Sequence, residues 1–237
     1  MDTAQQIFEY LPLKYKNPSD TEYFNFLKNS VEQNYNVQNY HFGVIALHMI
    51  YMGIVYHYIY GIFRADKQRF EYVLIGFHDR LKDRAKVSDF DNLSWHNFSV
   101  IDESPIFQFY RAVGIPDDQI GTLKSPVKKR NDILHTNGKH LSTEEDFEKR
   151  SQIYLQNLEK IHEFCKPEYK KLFFQFLDDI KIEIQDENEA QEYFIQDFVD
   201  EYGISQQIIS QLSEIPEAEY SDDKKIFFEV IKKYLEE

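Results

Sequence analysis

Residues 42–63 contain no Asp, Glu, Lys or Arg. A charge-free run of that length has two common fates: it crosses a bilayer, or it becomes the central helix of a globule and is covered on every side. His48, His57, Tyr51, Tyr56, Tyr58 and Tyr60 all fall inside the run, and no second run like it occurs. So many polar tips, and the lack of a partner span, count against a bilayer. The run is read as a buried core helix, and no membrane association is expected. His48 and His57 are nine positions apart, on opposite helical faces, so they are not a paired metal site. Each is expected to be a hydrogen-bonded core or interface histidine.

The rest of the chain is consistent with a helical globule. Only 8 Gly and 7 Pro are present, few for a protein built from many tight turns, whereas aromatic residues make up 16% and point to a Phe/Tyr-rich core. Residues 2–12 read as a short helix. Asn17-Pro18-Ser19-Asp20 signals the start of a second, with Phe24, Phe26, Leu27 and Val31 as its apolar set. Residues 66–86 read as one amphipathic helix, with Phe70, Val73, Leu74, Phe77 and Leu81 inward. Residues 87–104 read as an irregular segment, long for a compact domain and hence a candidate substrate or partner loop. Trp95 and Phe98 there can cap a bundle, and His96 reads as a solvated loop residue. A short helix over 105–113 ends at Gly114. Ser125-Pro126 opens the next helix.

Ser142-Thr143-Glu144-Glu145 has the form of a Ser-x-x-Glu capping box. The helix it opens carries Phe147, Tyr154, Leu158, Ile161 and Cys165 at three- and four-residue spacing, one apolar stripe. Lys166-Pro167-Glu168 reads as its break. Further helices follow, interrupted near 186–188, at Gly203 and near 216–221, each with a buried side. The expected architecture is all-α, with a helical domain over 1–166 and an acidic helical subdomain over 167–237.

The formal net charge is −14, which opposes nucleic-acid binding when taken alone. Its distribution is uneven. Residues 183–237 hold 16 acidic residues against four Lys, so the remaining chain is close to neutral. Lys124, Lys128, Lys129, Arg130 and Lys139 face only Asp132 in residues 124–140, a local basic island. Residues 64–86 form a second, weaker one. Local fields rather than the total govern phosphate docking.

The island contains Lys128-Lys129-Arg130-Asn131-Asp132-Ile133-Leu134-His135-Thr136-Asn137-Gly138. On a helix Asn131 and His135 share a face, and the Arg130 side chain reaches the same cleft. Asn137-Gly138 is a favoured helix stop, which puts His135 in the last turn, where the dipole favours an imidazolium. Arg130 followed by Asn131, with His135 five positions after the arginine, resembles the signature of the HEPN superfamily. These are all-helical domains, many of them metal-independent ribonucleases, and the resemblance covers about residues 35–165. It implies a HEPN-like bundle with additional C-terminal helices.

The resemblance further implies cleavage of single-stranded RNA by attack of the 2′-OH. His135 would transfer protons, Arg130 would hold the non-bridging oxygens, and Asn131 would orient Arg130 or the phosphate. Lys124, Lys128, Lys129 and Lys139 would bind the RNA backbone. It also implies a homodimer that pairs two motifs, and a toxin or antiviral-defence role with a regulatory or antitoxin protein as partner. The acidic C-terminal part could compete with RNA for the basic island. The alternative is a non-catalytic HEPN-like module, a helical adaptor that binds a nucleotide or a protein. No metal or cofactor is expected. Cys165 is the only cysteine, which excludes an intrachain disulfide and a Cys-based zinc site. Met1-Asp2-Thr3 opens no basic n-region, so no signal peptide and a cytoplasmic location are expected.

Overall fold

The computed structural model describes residues 1–84, 93–134, 143–181, 184 and 186–236. Among these the protein is all-α, with no strand. The order is α1 (Asp2–Phe8), α2 (Pro18–Asn36), α3 (Tyr40–Ala65), α4 (Lys67–Leu74), α5 (His78–Arg84), α6 (Trp95–Phe98), α7 (Glu103–Ile106), α8 (Asp117–Leu123), α9 (Ser125–Leu134), α10 (Glu144–Asp179), α11 (Glu187–Tyr193), α12 (Asp200–Tyr202), α13 (Gln206–Ser213) and α14 (Lys225–Glu236).

The charge-free run forms the middle of α3, which is buried on nearly every side. It is long and apolar enough to cross a membrane, yet 83% of its most apolar window is covered by the protein itself. Helices α2 and α10 supply most of that cover. Two glycines set how closely they approach. A Cβ on Gly53 would lie 2.6 Å from Phe24 Cε1 of α2, and one on Gly61 would lie 2.7 Å from Tyr169 Cζ of α10. The absence of charge along 42–63 follows from this double burial, since an unpaired charge there would cost several kcal/mol.

Helix α2 starts where Pro18 follows the cap Asn17, whose side chain accepts from Ser19 N at 3.1 Å. Phe24, Leu27 and Val31 face inward, but Phe26 is 65% exposed. Phe24 and Phe26 are two apart, about 200° round the barrel, and cannot share a face. The expected single helix over 66–86 is divided instead. Residues 75–77 tighten into a 3₁₀ turn between α4 and α5, although Phe70, Leu74, Phe77 and Leu81 are buried as expected. Residues 85–86 of that expected helix and 87–92 of the expected irregular segment lie outside the described residues. The rest of it contains α6 and the start of α7, with Phe98 fully buried.

Helix α10 is capped by Thr143, which accepts from Asp146 N at 3.1 Å, one residue later than the Ser142 box. It then runs for 36 residues without a break, a length of about 54 Å. The expected interruption at Lys166-Pro167-Glu168 does not occur. Pro167 removes one helical hydrogen bond, at a cost of about 3 kcal/mol. The apolar stripe nevertheless continues in phase across it, from Cys165 to Tyr169, Leu172 and Phe176, all buried, and burying each such side chain is worth roughly 1.5–3 kcal/mol. The two segments expected to be separate units therefore share one helix. The C-terminal helices close on its second half through Phe173, Phe194, Phe198 and Tyr220, whose rings meet at 5.3–6.4 Å between centroids. They also grip the N-terminal segment, where Leu13 N donates to Ile204 O at 3.0 Å.

Candidate functional site

The motif helix α9 follows α8 directly. Pro126 and Val127 are buried, which fixes the face that α9 turns inward. Arg130 is three residues past Val127, so its side chain runs along the same face and is only 19% exposed. Asn131 and Lys128 face outward and are exposed, while Lys124 and Lys129 are half-buried. None of Lys124, Lys128 and Lys129 makes an ion pair among the described residues. His135 and Lys139 lie outside the described residues.

Arg130 Nη2 donates to Glu103 Oε2, at the first residue of α7. The same carboxylate oxygen lies 3.0 Å from His48 Nε2 of α3. On the other side of the imidazole, Nδ1 lies 3.1 Å from the Tyr154 hydroxyl of α10. Four helices thus contribute one side chain each to a continuous chain of contacts. With His48 Nε2–H donating to Glu103, Nδ1 is left to accept from the Tyr154 hydroxyl. Burial alone would raise the Glu103 carboxyl, but hydrogen bonds from His48 and Arg130, together with the guanidinium charge, outweigh it and hold it below the usual carboxylate range. Glu103 is therefore ionised at neutral pH.

A second guanidinium stands nearby. Arg150 lies four residues before Tyr154 on α10, one turn away on the same face. Burial raises the Tyr154 hydroxyl above its ordinary value, and the charges of Arg150 and Arg130 oppose that rise. Arg130 Nε and Arg150 Nη1 are both buried, and neither has a hydrogen-bond partner among the described residues. A buried donor left unpaired costs about 1–3 kcal/mol, and an anion reaching either group would relieve that cost.

Of the residues singled out by the sequence, α9 carries Lys128, Lys129, Arg130 and Asn131, and Lys124 ends the helix before it. His48 was expected to be a hydrogen-bonded core histidine and is one. Glu103, Tyr154 and Arg150 went unrecognised as site residues. Tyr154 was visible only as a member of an apolar stripe, and nothing in local spacing ties Glu103 to Arg130. The acidic C-terminal helices pair with other cations: Asp200 with Lys14 at 2.6 Å and Glu201 with Arg64 at 3.2 Å. No ion pair among the described residues joins them to the basic island. His96, expected to be solvated, lies 3.1 Å from Asp20 Oδ2.

No protein-family model, curated protein or solved structure matches the chain.

Proposed function

We propose that the protein is a metal-independent endoribonuclease of the HEPN type that cuts single-stranded RNA, with Arg130, Asn131 and His135 as its reacting-centre residues. The observation that carries this reading is the pair of guanidiniums, Arg130 and Arg150, each with a buried N–H lacking a partner among the described residues. Such an arrangement fits a phosphodiester, whose non-bridging oxygens gain negative charge as the transition state forms. In the reaction, the 2′ oxygen forms a bond to phosphorus and the bond from phosphorus to the 5′ oxygen breaks. His135 accepts the 2′-OH proton or supplies the proton that the leaving oxygen takes up. The products are a 2′,3′-cyclic phosphate and a 5′-hydroxyl. Lys124, Lys128, Lys129 and Lys139 steer the backbone by charge.

A single motif offers one imidazole, so a two-fold dimer that sets two motifs across one cleft belongs to the proposal. A cytoplasmic toxin or defence effector, restrained by a protein partner, is the cellular role that accords with it. The test is incubation of the purified protein with single-stranded RNA in EDTA, followed by analysis of product ends. Cyclic phosphate ends support the reading, and intact RNA with and without divalent cations opposes it.

One observation favours a second reading, a non-catalytic helical adaptor. The Arg130 charge is already answered by Glu103 within the chain. In that reading Arg130 fastens α9 to α7, and RNA is neither bound nor cut.

A further inference from the structure

A different recess opens on the opposite side of α3 from His48, around His57. It encloses about 220 Å³ and is lined by Tyr15, His57, Tyr60, Trp95, Tyr202 and Gly203, with charged groups at its edge. The aromatic wall is fixed in place. His57 stacks on Trp95 with centroids 4.4 Å apart, and Tyr15 stacks on Phe24 at 5.0 Å. His57 Nδ1 lies 2.8 Å from the Gly53 carbonyl and donates to it, which leaves Nε2 as an acceptor. Burial lowers the His57 pKa to about 4, so the ring is neutral at physiological pH.

Two further features narrow what fits. The Tyr15 hydroxyl and Asp200 Oδ1 are buried and have no hydrogen-bond partner among the described residues, and both residues line the recess. One is a donor and the other an acceptor, so an occupant must offer an acceptor and an N–H or O–H. Among the described residues, the cations at its edge are all paired. Lys14 pairs with Asp200 Oδ2 at 2.6 Å, Lys16 with Glu201, and His96 with Asp20. A phosphate would have to displace one of these carboxylates. The volume lies between that of a cavity that takes benzene, about 150 Å³, and the roughly 300 Å³ at which drug-sized pockets begin.

We propose that this recess binds a neutral, flat, one- or two-ring nitrogen heterocycle of the nucleobase type, with its polar edge toward Tyr15 and Asp200. The site is separate from the Arg130 network and does not depend on ribonuclease activity.

Trp95 is the only tryptophan, so intrinsic fluorescence of the full chain reads the recess directly. Adenine, cytosine and uracil are titrated to millimolar concentration, with two-dimensional NMR alongside in case binding leaves the fluorescence unchanged. The expected result is saturable binding of at least one base. Tyr15→Phe and Asp200→Asn should each weaken it about tenfold or more, the size of one lost buried hydrogen bond. Tyr15→Phe should also leave the free protein as stable as wild type or more so, because it deletes an orphaned hydroxyl. Three results would overturn the proposal: no saturable response to any base by either method, tighter binding of the nucleoside monophosphate than of its base, or equal binding of indole that neither variant disturbs.

Discussion

Glu103 Oε2 lies 3.0 Å from His48 Nε2 and accepts the Arg130 guanidinium on the same oxygen. One half-buried carboxylate therefore fixes an arginine of the motif helix to the core helix. A guanidinium held in this way is oriented before any substrate arrives, and it loses little side-chain freedom when it binds one.

The first consequence concerns Glu103. In the nuclease reading it is a positioning residue, since it acts on the phosphate only through Arg130. Glu103→Gln keeps the shape but removes the charge that holds Arg130. A displacement of about 1 Å at a reacting centre can cost up to about a hundredfold in rate. The expected result is a fall in kcat of about ten- to a hundredfold with KM little changed. In the adaptor reading only stability would respond.

The second concerns the stability of Arg130→Ala. A surface arginine would be neutral within about ±0.5 kcal/mol. Arg130 is only 19% exposed, and its loss leaves the Glu103 carboxylate half-buried beside His48 alone. Urea denaturation should show a loss of about 1–3 kcal/mol, the cost of an orphaned buried polar group. Activity losses in this variant must therefore be read beside its stability.

The third concerns pH. Burial lowers both His57 and His162 to about 4, against about 6.5 in an unfolded chain. Between those values the unfolded state binds protons that the folded state does not, so stability rises with pH across the window. The protein should lose stability steadily from about pH 6.5 to pH 4, on the order of a few kcal/mol in total. Urea midpoints measured at several pH values check this. His57→Asn and His162→Asn should each flatten the slope, and an unchanged slope in both would contradict it.

The fourth concerns packing. Replacing a helical glycine by alanine normally stabilises a helix by up to about 1 kcal/mol. At Gly53 and Gly61 the new methyl would meet a Phe24 or Tyr169 ring at 2.6 or 2.7 Å. Overpacking of this kind costs about 1–3 kcal/mol. Both variants should melt below wild type, whereas Gly76→Ala, where nothing lies within 4 Å, should not.

The features legible in the sequence were those set by local pattern. The charge-free run 42–63 identified the core helix because total burial forbids charge there. Gly114 marked a helix end because it takes a positive φ of 82°. What escaped depended on distant partners. Pro167 looked like a break, but its cost is outweighed by a stripe that stays in phase on both sides. Glu103 read as a loop acid because only the packing of α7 against α3 brings it to Arg130 and His48. Arg150 has no local signal that sets it apart on its amphipathic helix, yet part of its guanidinium is buried.

The most direct measurement is cleavage of a labelled single-stranded RNA by wild type, Arg130→Ala and His135→Ala in EDTA, with product ends resolved. Any partner or trigger that releases activity should be present, and each variant should first be shown to be folded. Wild type should yield 2′,3′-cyclic phosphate ends. Losing the proton-transfer group should slow cleavage by about 10²–10⁴-fold, and losing the oxyanion donor by about 10²–10³-fold. Cutting at wild-type rate by both folded variants, or no cutting by wild type under any of these conditions, would contradict the assignment.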